Sequence, residues 1–304
     1  MALVPANVDM SSKTCVVTGA SSGVGKEIAR GLARLGATVI LTSPASDRAD
    51  SARGEIVAET KNSRVLSMRL DLSHRHSIRE FCDVFAERHT RLDVLVHNAA
   101  RWSYMREQTI DAIEKSWMVN TLGPHIMTRL LTDSLKAGAP SRLIYVSCRD
   151  VGGLDIEDTE LDTRGYRGWL AYTQSKQAAR MLAWAQASRL AIHGIQVSAC
   201  VVGGRIHSNL HRDSRGLARL RLRLATSLFG ASPAAAADTP LWLATSPEAA
   251  SAGGKLWFKR HEVRRDFRDA TAIQNLYDYV ERQANALMSK PGLGQSGLFR
   301  LPGT

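Results

Sequence analysis

Cysteine is scarce in this chain. Cys15, Cys82, Cys148 and Cys200 are the four present in 304 residues, scattered without the paired spacing of a zinc site. That scatter argues against a disulfide-stapled scaffold and fits reduced thiols in a cytoplasmic protein. No apolar run approaches the ~20 residues that a membrane-spanning helix needs. Residues 1–10 lack the basic and apolar segments of a signal peptide. Acidic side chains are in the minority, 29 against 40 basic, for a net charge of +11. No aromatic-basic module accompanies that charge, so the balance suits a small phosphorylated ligand better than nucleic acid. No internal repeat is present, which excludes solenoids and propellers. Apolar sequence, by contrast, is plentiful: at 44% of the chain it is enough for the core of one α/β domain with extensions.

Residues 13–18 (KTCVVT) read as a short strand. Gly19-Ala20-Ser21-Ser22-Gly23-Val24-Gly25 follows, then a helical pattern over 26–35 with Ile28, Leu32 and Leu35 apolar. Strand, glycine turn and helix form the setting that a dinucleotide phosphate needs. Gly19 permits the tight turn, Gly23 lets backbone approach the pyrophosphate, and Gly25 allows close packing. Ser21, Ser22 and Val24 complete the phosphate-facing turn, and the helix start adds free N–H groups. The second strand, 37–41, runs into Thr42-Ser43-Pro44 with no carboxylate for a ribose hydroxyl. Asp47 comes later, and Lys26, Arg48 and Arg53 are within reach. The pattern favours NADP(H) over NAD(H), with Ser43 among the cofactor contacts. A third strand over 64–70 ends in Asp71-Leu72, where Asp71 either accepts from an adenine amino group or caps a helix over 77–89. The fourth, 92–96, opens into His97-Asn98-Ala99-Ala100, in which Asn98 ties strand ends together and Ala99 leaves room for a ribose.

A helix is expected over 116–131 with Asn120 in its interior, either a solvent-facing residue or a functional kink. The fifth strand, 142–146, delivers Ser147 and Cys148 to its carboxyl end, the edge at which open parallel sheets bind ligands. After a polar connection comes Tyr172-Thr173-Gln174-Ser175-Lys176. Residues four apart share a helix face, so phenol and ammonium can enter one site, and a nearby cation turns an inert phenol into a usable acid and base. The helix over 171–191 turns Met181, Leu182, Trp184 and Leu190 toward a core or a partner subunit. A sixth strand spans 195–202. Residues 205–230 are basic and leucine-rich, and read as a lid over an apolar pocket in preference to a membrane-surface segment at 215–228. A helix over 234–245, a strand over 255–258, a helix within 261–289 and a loose tail over 290–304 complete the chain.

Taken together, Thr18 to Gly25, Asp71-Leu72, His97 to Ala100, Asn120 and Tyr172-x-x-x-Lys176 resemble the short-chain dehydrogenase/reductases, in order and spacing, over residues 12–260. The phrases Gly168-Trp169-Leu170-Ala171-Tyr172 and Thr239-Pro240-Leu241-Trp242-Leu243-Ala244-Thr245-Ser246 resemble the retinol-dehydrogenase-like branch. The resemblance implies a Rossmann-type doubly wound sheet of about seven parallel strands with helices on both faces, in a single domain. It also implies a mechanism. Tyr172 donates a proton to a carbonyl as hydride arrives from the nicotinamide. Lys176 holds the nicotinamide ribose and keeps the phenol acidic, while Asn120 positions a water. Ile206 and Ser208 would meet carboxamide and phosphate.

The sequence also departs from the family pattern. Ungapped alignment puts Cys148 where the catalytic Ser belongs, leaving Cys148 or Ser147 to hold the substrate oxygen with a weaker or displaced donor. Val202-Gly203-Gly204 replaces the usual Pro-Gly. The expected activity is NADP(H)-dependent interconversion of a hydrophobic alcohol with its ketone or aldehyde, in a chain that can assemble as a homo-oligomer. The alternatives are a non-redox cyclase, dehydratase or isomerase of secondary metabolism, and a cofactor-binding protein with weakened catalysis.

Overall fold

Short apolar runs leave their backbone groups unpaired unless they add to a sheet, and among the described residues seven of them do, with a two-residue polar strand at one edge. In a computed structural model of the chain, which describes residues 8–202, 232–263 and 266–290, the strands are β1 (Thr14–Val17), β2 (Thr38–Ser43), β3 (Val65–Arg69), β4 (Val94–His97), β5 (Ser141–Ser147), β6 (Ile195–Val201), β7 (Leu256–Phe258) and β8 (His261–Glu262). Their order in the sheet is β3-β2-β1-β4-β5-β6-β7-β8. The first seven pair in parallel, as expected, and β8 adds a two-residue antiparallel edge that the sequence pattern was too short to reveal. The chain reverses direction across the sheet between β1 and β4, which opens a crevice at their carboxyl ends. The expected lid and tail, with Ile206 and Ser208, lie outside the described residues, Lys290 excepted.

Side chains alternate across the strands and feed two apolar layers. Val16, Leu95, Leu143 and Tyr145 face one core, while Cys15, Val17, Val96 and Ile144 face the other. The second core is closed by α1 (Gly23–Arg34), α2 (Ser46–Thr60) and a helix expected as continuous over 234–245. That helix divides into α8 (Pro233–Ala236) and α9 (Asp238–Thr245). The first core is closed by α3 (Arg75–Arg88), α4 (Lys115–Trp117), α5 (Gly123–Leu130), α6 (Thr132–Ala137), α7 (Gly168–Leu190) and α10 (Ala270–Ser289).

Helix α10 settles a question that α7 left open. Met181, Leu182 and Trp184 share one core with Leu276, Val280, Ala284 and Leu287 of α10, so the last helix among the described residues covers that face. Leu190 packs at its margin. The π-turn Met118–Leu122 joins α4 to α5, so the helix expected over 116–131 is interrupted at Asn120, and α5 ends at Leu130.

Candidate active site

The glycine turn is held by hydrogen bonds that local sequence alone does not show. Thr18 Oγ accepts from the backbone N–H of both Asn98 and Ala99, each at 3.0 Å. Asn98 Nδ2 donates to the Thr18 carbonyl at 2.9 Å, so β1 and β4 are laced together beneath the turn. The backbone N–H of Ala20 donates to the Thr42 carbonyl at 3.0 Å, which fixes the turn to β2. A Cβ on Gly25 would meet Asn98 Nδ2 at 2.4 Å and the Gly19 carbonyl at 2.7 Å, so this glycine makes room for the lacing. Gly23 differs: its φ is +59° and a Cβ there would meet nothing within 4 Å. That open cradle, at the start of a helix with no acidic residue in its first turn, fits the phosphates of a dinucleotide. Val24 is buried, while Ser21 and Ser22 are half-buried on the turn.

The other expected cofactor contacts are arranged less simply. Ser43 is buried at the end of β2, and its hydroxyl accepts from the Ala45 N–H at 3.2 Å. Lys26 pairs with Glu55 at 2.5 Å and Arg53 donates to the Val65 carbonyl at 2.8 Å. Of the three cations near this strand tip, Arg48 is exposed with no ion pair among the described residues. Asp71 turns back to accept from the N–H and hydroxyl of Ser73, at 2.9 and 2.6 Å, and these bonds hold its carboxyl below the ordinary range against the effect of burial. It does not cap α3, where His74 occupies the cap position. Leu72 is a core residue.

At the carboxyl end of β5 the reactive groups converge. Tyr172 is 5% exposed and lies beside the thiol of Cys148, whose Sγ donates to the Asp150 carbonyl at 3.1 Å. Lys176 is buried and donates to the Val146 carbonyl at 3.2 Å. The Ser147 hydroxyl is taken up by Arg180, accepting from its Nε at 2.9 Å, while Arg180 also donates to the Cys148 carbonyl. The thiol, not the Ser147 hydroxyl, therefore stands at the phenol. Burial pushes the Tyr172 phenol well above its ordinary value, with the Cys148 contact and Asp150 adding to this; Arg180 is the cation that opposes them. This differs from the expectation of a phenol acidified by Lys176, because the low-dielectric surroundings outweigh the charge. Burial also lowers the Lys176 ammonium. His97 packs on Tyr145, with ring centroids 4.9 Å apart, and bonds Thr128 at 2.8 Å; burial holds it down to about 3, so it is neutral.

Asn120 is neither solvent-facing nor idle. Its side chain accepts from the Arg101 N–H at 2.7 Å and donates to the Arg101 carbonyl and to Ser175 Oγ, at 2.8 and 2.9 Å. It thus braces the turn of α7 that carries Tyr172 against the segment after β4. The polar connection over 149–167 is also fastened. Asp158 gathers the N–H groups of Asp162, Thr163 and Arg164, and Arg164 reaches Gln174 on α7 at 2.9 Å. Trp169 is 52% exposed with its ring 5.8 Å from that of Tyr172, and Trp102 lies 4.3 Å from Tyr104.

A sequence profile of the short chain dehydrogenases matches residues 13–215. The chain belongs to the short-chain dehydrogenase/reductases. Within this family it falls in the retinol-dehydrogenase-like branch. Human retinol dehydrogenase 13 is 35% identical over 259 residues, which cover 83% of this chain and 77% of that protein. An uncharacterised protein from Mycobacterium paratuberculosis superposes with a TM-score of 0.73 at 27% identity, over 94% of this chain and 98% of that one. A metagenomic short-chain oxidoreductase in complex with NADP gives a TM-score of 0.54 at 28% identity, over 71% and 92% of the two chains. This short-chain dehydrogenase is therefore an oxidoreductase by family, with a thiol at the phenol and a buried guanidinium behind it. Arg180 is the site residue that the sequence reading passed over. Its signal was present: it lies four residues after Lys176 on the same helix face, a charge in an otherwise buried stretch.

Proposed function

We propose that this chain interconverts a hydrophobic alcohol with its aldehyde or ketone, using NADP(H) and Tyr172 as general acid and base, in the cytoplasm. The reading rests on one observation: Tyr172, Cys148 and Lys176 meet at the carboxyl end of β5, on the sheet edge that carries the glycine turn. A nicotinamide supplies hydride donation or acceptance when bound. The glycine turn and the first amides of α1 hold the phosphates, and Lys176 holds a ribose. Tyr172 passes the proton to or from the substrate oxygen, and Cys148 donates a hydrogen bond to that oxygen. Asn120 keeps α7 in register while this happens. Exposed Arg48, with no carboxylate at the tip of β2, favours NADP(H) over NAD(H). Exposed Tyr104 and Trp169 offer aromatic surface for an extended apolar chain, with Trp102 buried behind Tyr104, in keeping with relatives named as retinol dehydrogenases. Four free cysteines fit a reducing compartment, and no helix among the described residues is long and apolar enough to cross a membrane.

The test is NADPH oxidation with a panel of lipophilic aldehydes and ketones, beside fluorescence titration of both cofactors. Turnover is expected, abolished in Tyr172→Phe, with NADPH bound more tightly than NADH. Substrate consumption with no cofactor oxidised would instead establish a cyclase, dehydratase or isomerase, a reading that tolerates a thiol at the phenol. Equal or reversed cofactor affinities would remove the NADP(H) preference.

A further inference from the structure

A guanidinium is rarely buried without a task, because taking a charge out of water is costly unless its donors are all used. Arg180 is 3% exposed, on the same face of α7 as Tyr172 and Lys176. Its Nε donates to Ser147 Oγ at 2.9 Å and a terminal nitrogen donates to the Cys148 carbonyl, so one planar group grips two successive residues at the end of β5. Those residues deliver the thiol to the phenol. Lys176, one turn earlier, is bonded to the Val146 carbonyl, so the last two residues of β5 and the one after it are held by two buried cations of one helix.

We propose that Arg180 is a positioning residue of the reaction: it clamps the end of β5 and places a second buried positive charge beside the Tyr172–Cys148 pair. The proposal rests on the oxidoreductase reading above. Cys148 and Asp150, after β5, and Arg180 on α7 act on the phenol, and of these Arg180 favours the phenolate. Those acting on the guanidinium are Cys148, Asp266 before α10, Cys200 on β6 and Tyr172, while Lys176 feels Arg180 as a like charge. Two like charges are tolerated at this depth because each has carbonyl acceptors and the site exists to hold a developing negative oxygen. A thiol donates a weaker hydrogen bond than a hydroxyl. The guanidinium behind it offsets that deficit by stabilising negative charge on the phenol.

The experiment compares Arg180→Met and Arg180→Lys with the native chain. In alcohol oxidation Tyr172 acts as the phenolate, so the rate rises with pH. Arg180→Met is expected to move that rise upward by about one pH unit, with cofactor affinity unchanged, whereas Arg180→Lys leaves it in place. A packing role alone would lower kcat without moving the profile, so superimposable profiles overturn the proposal. Should Arg180→Met not fold, Arg180→Gln keeps a donor for the Cys148 carbonyl and carries the same test.

A second readout is independent of turnover. Cys15, Cys82 and Cys200 are buried, so iodoacetamide reports on Cys148. Arg180 holds the Cys148 carbonyl, so its loss frees the segment that carries this half-buried thiol. Labelling followed by mass spectrometry is therefore expected to quicken about five- to tenfold in Arg180→Met, and to stay native-like in Arg180→Lys. An unchanged labelling rate overturns the proposal. Absence of any turnover in the native chain overturns the oxidoreductase reading instead, and leaves the labelling result to decide the role of Arg180.

Discussion

Gly23 and Gly25 stand two residues apart in one turn, yet alanine at each should give opposite signatures. At Gly25 the new methyl would lie 2.4 Å from Asn98 Nδ2 and 2.7 Å from the Gly19 carbonyl. The amide can swing away but the carbonyl belongs to the backbone, so the turn itself must shift. Overpacking costs about 2 kcal/mol and stranding the Asn98 donor a similar amount, while alanine's helix propensity returns about 1. The net loss is about 3 kcal/mol, or a fall of roughly 6–12 °C in Tm. At Gly23 nothing lies within 4 Å, so the methyl meets no atom and the cost is the left-handed backbone. That cost is about 1–2 kcal/mol, partly offset by a less flexible unfolded chain. Gly23→Ala should therefore melt within a few degrees of the native protein. Its methyl nonetheless fills the space a phosphate needs, and NADPH binding should weaken at least tenfold, by about 1.4 kcal/mol or more. Thermal unfolding without cofactor and fluorescence titration with NADPH separate the two effects. Native-like NADPH affinity in Gly23→Ala, or native-like stability in Gly25→Ala, would refute the assignment of cradle and lacing.

Two further outcomes follow from the same geometry. Cys148→Ser restores a stronger donor beside Tyr172 and should preserve or raise turnover with lipophilic carbonyl substrates; an inactive, folded variant would mean that the thiol has chemistry of its own. Glu281 on α10 accepts from His125 at 3.0 Å and pairs with Arg129 at 3.0 Å, and the His125 bond leads in holding its carboxyl below 4.5. Its contribution to stability is complete above that value and is lost as pH falls through the depressed one. Urea unfolding of Glu281→Gln should thus fall less steeply than that of the native chain below about pH 4.5. Parallel curves would show that this pair does not anchor α10.

Much of the molecule could be read from the chain because its signals are local. The alternation of β-rich runs with helical patterns implied a parallel sheet, and the glycine turn sits where strand gives way to helix. Tyr172 and Lys176 could be paired by helical spacing alone, since four residues on a helix fix a shared face. Asn120 was recognisable as out of place in a helix interior, and the π-turn is the form which that misfit takes.

What the sequence by itself determined, then, is the order of the elements, the sheet edge that carries the chemistry and the residue types gathered there. The tertiary structure alone decided how those residues act on one another. Burial, a property of the assembled core, outweighs the neighbouring charge and raises the Tyr172 phenol instead of lowering it. Arg180 acquires its partners only when β5 is laid against α7, and Ser147 and Cys148 part ways because adjacent residues at a strand end point to different neighbours. The α7 face that suited either a core or a second subunit is closed by a helix almost a hundred residues later in the chain. Local pattern fixes backbone geometry, whereas charge, burial and partner choice depend on contacts between segments far apart in the chain, and only the folded structure brings those segments together.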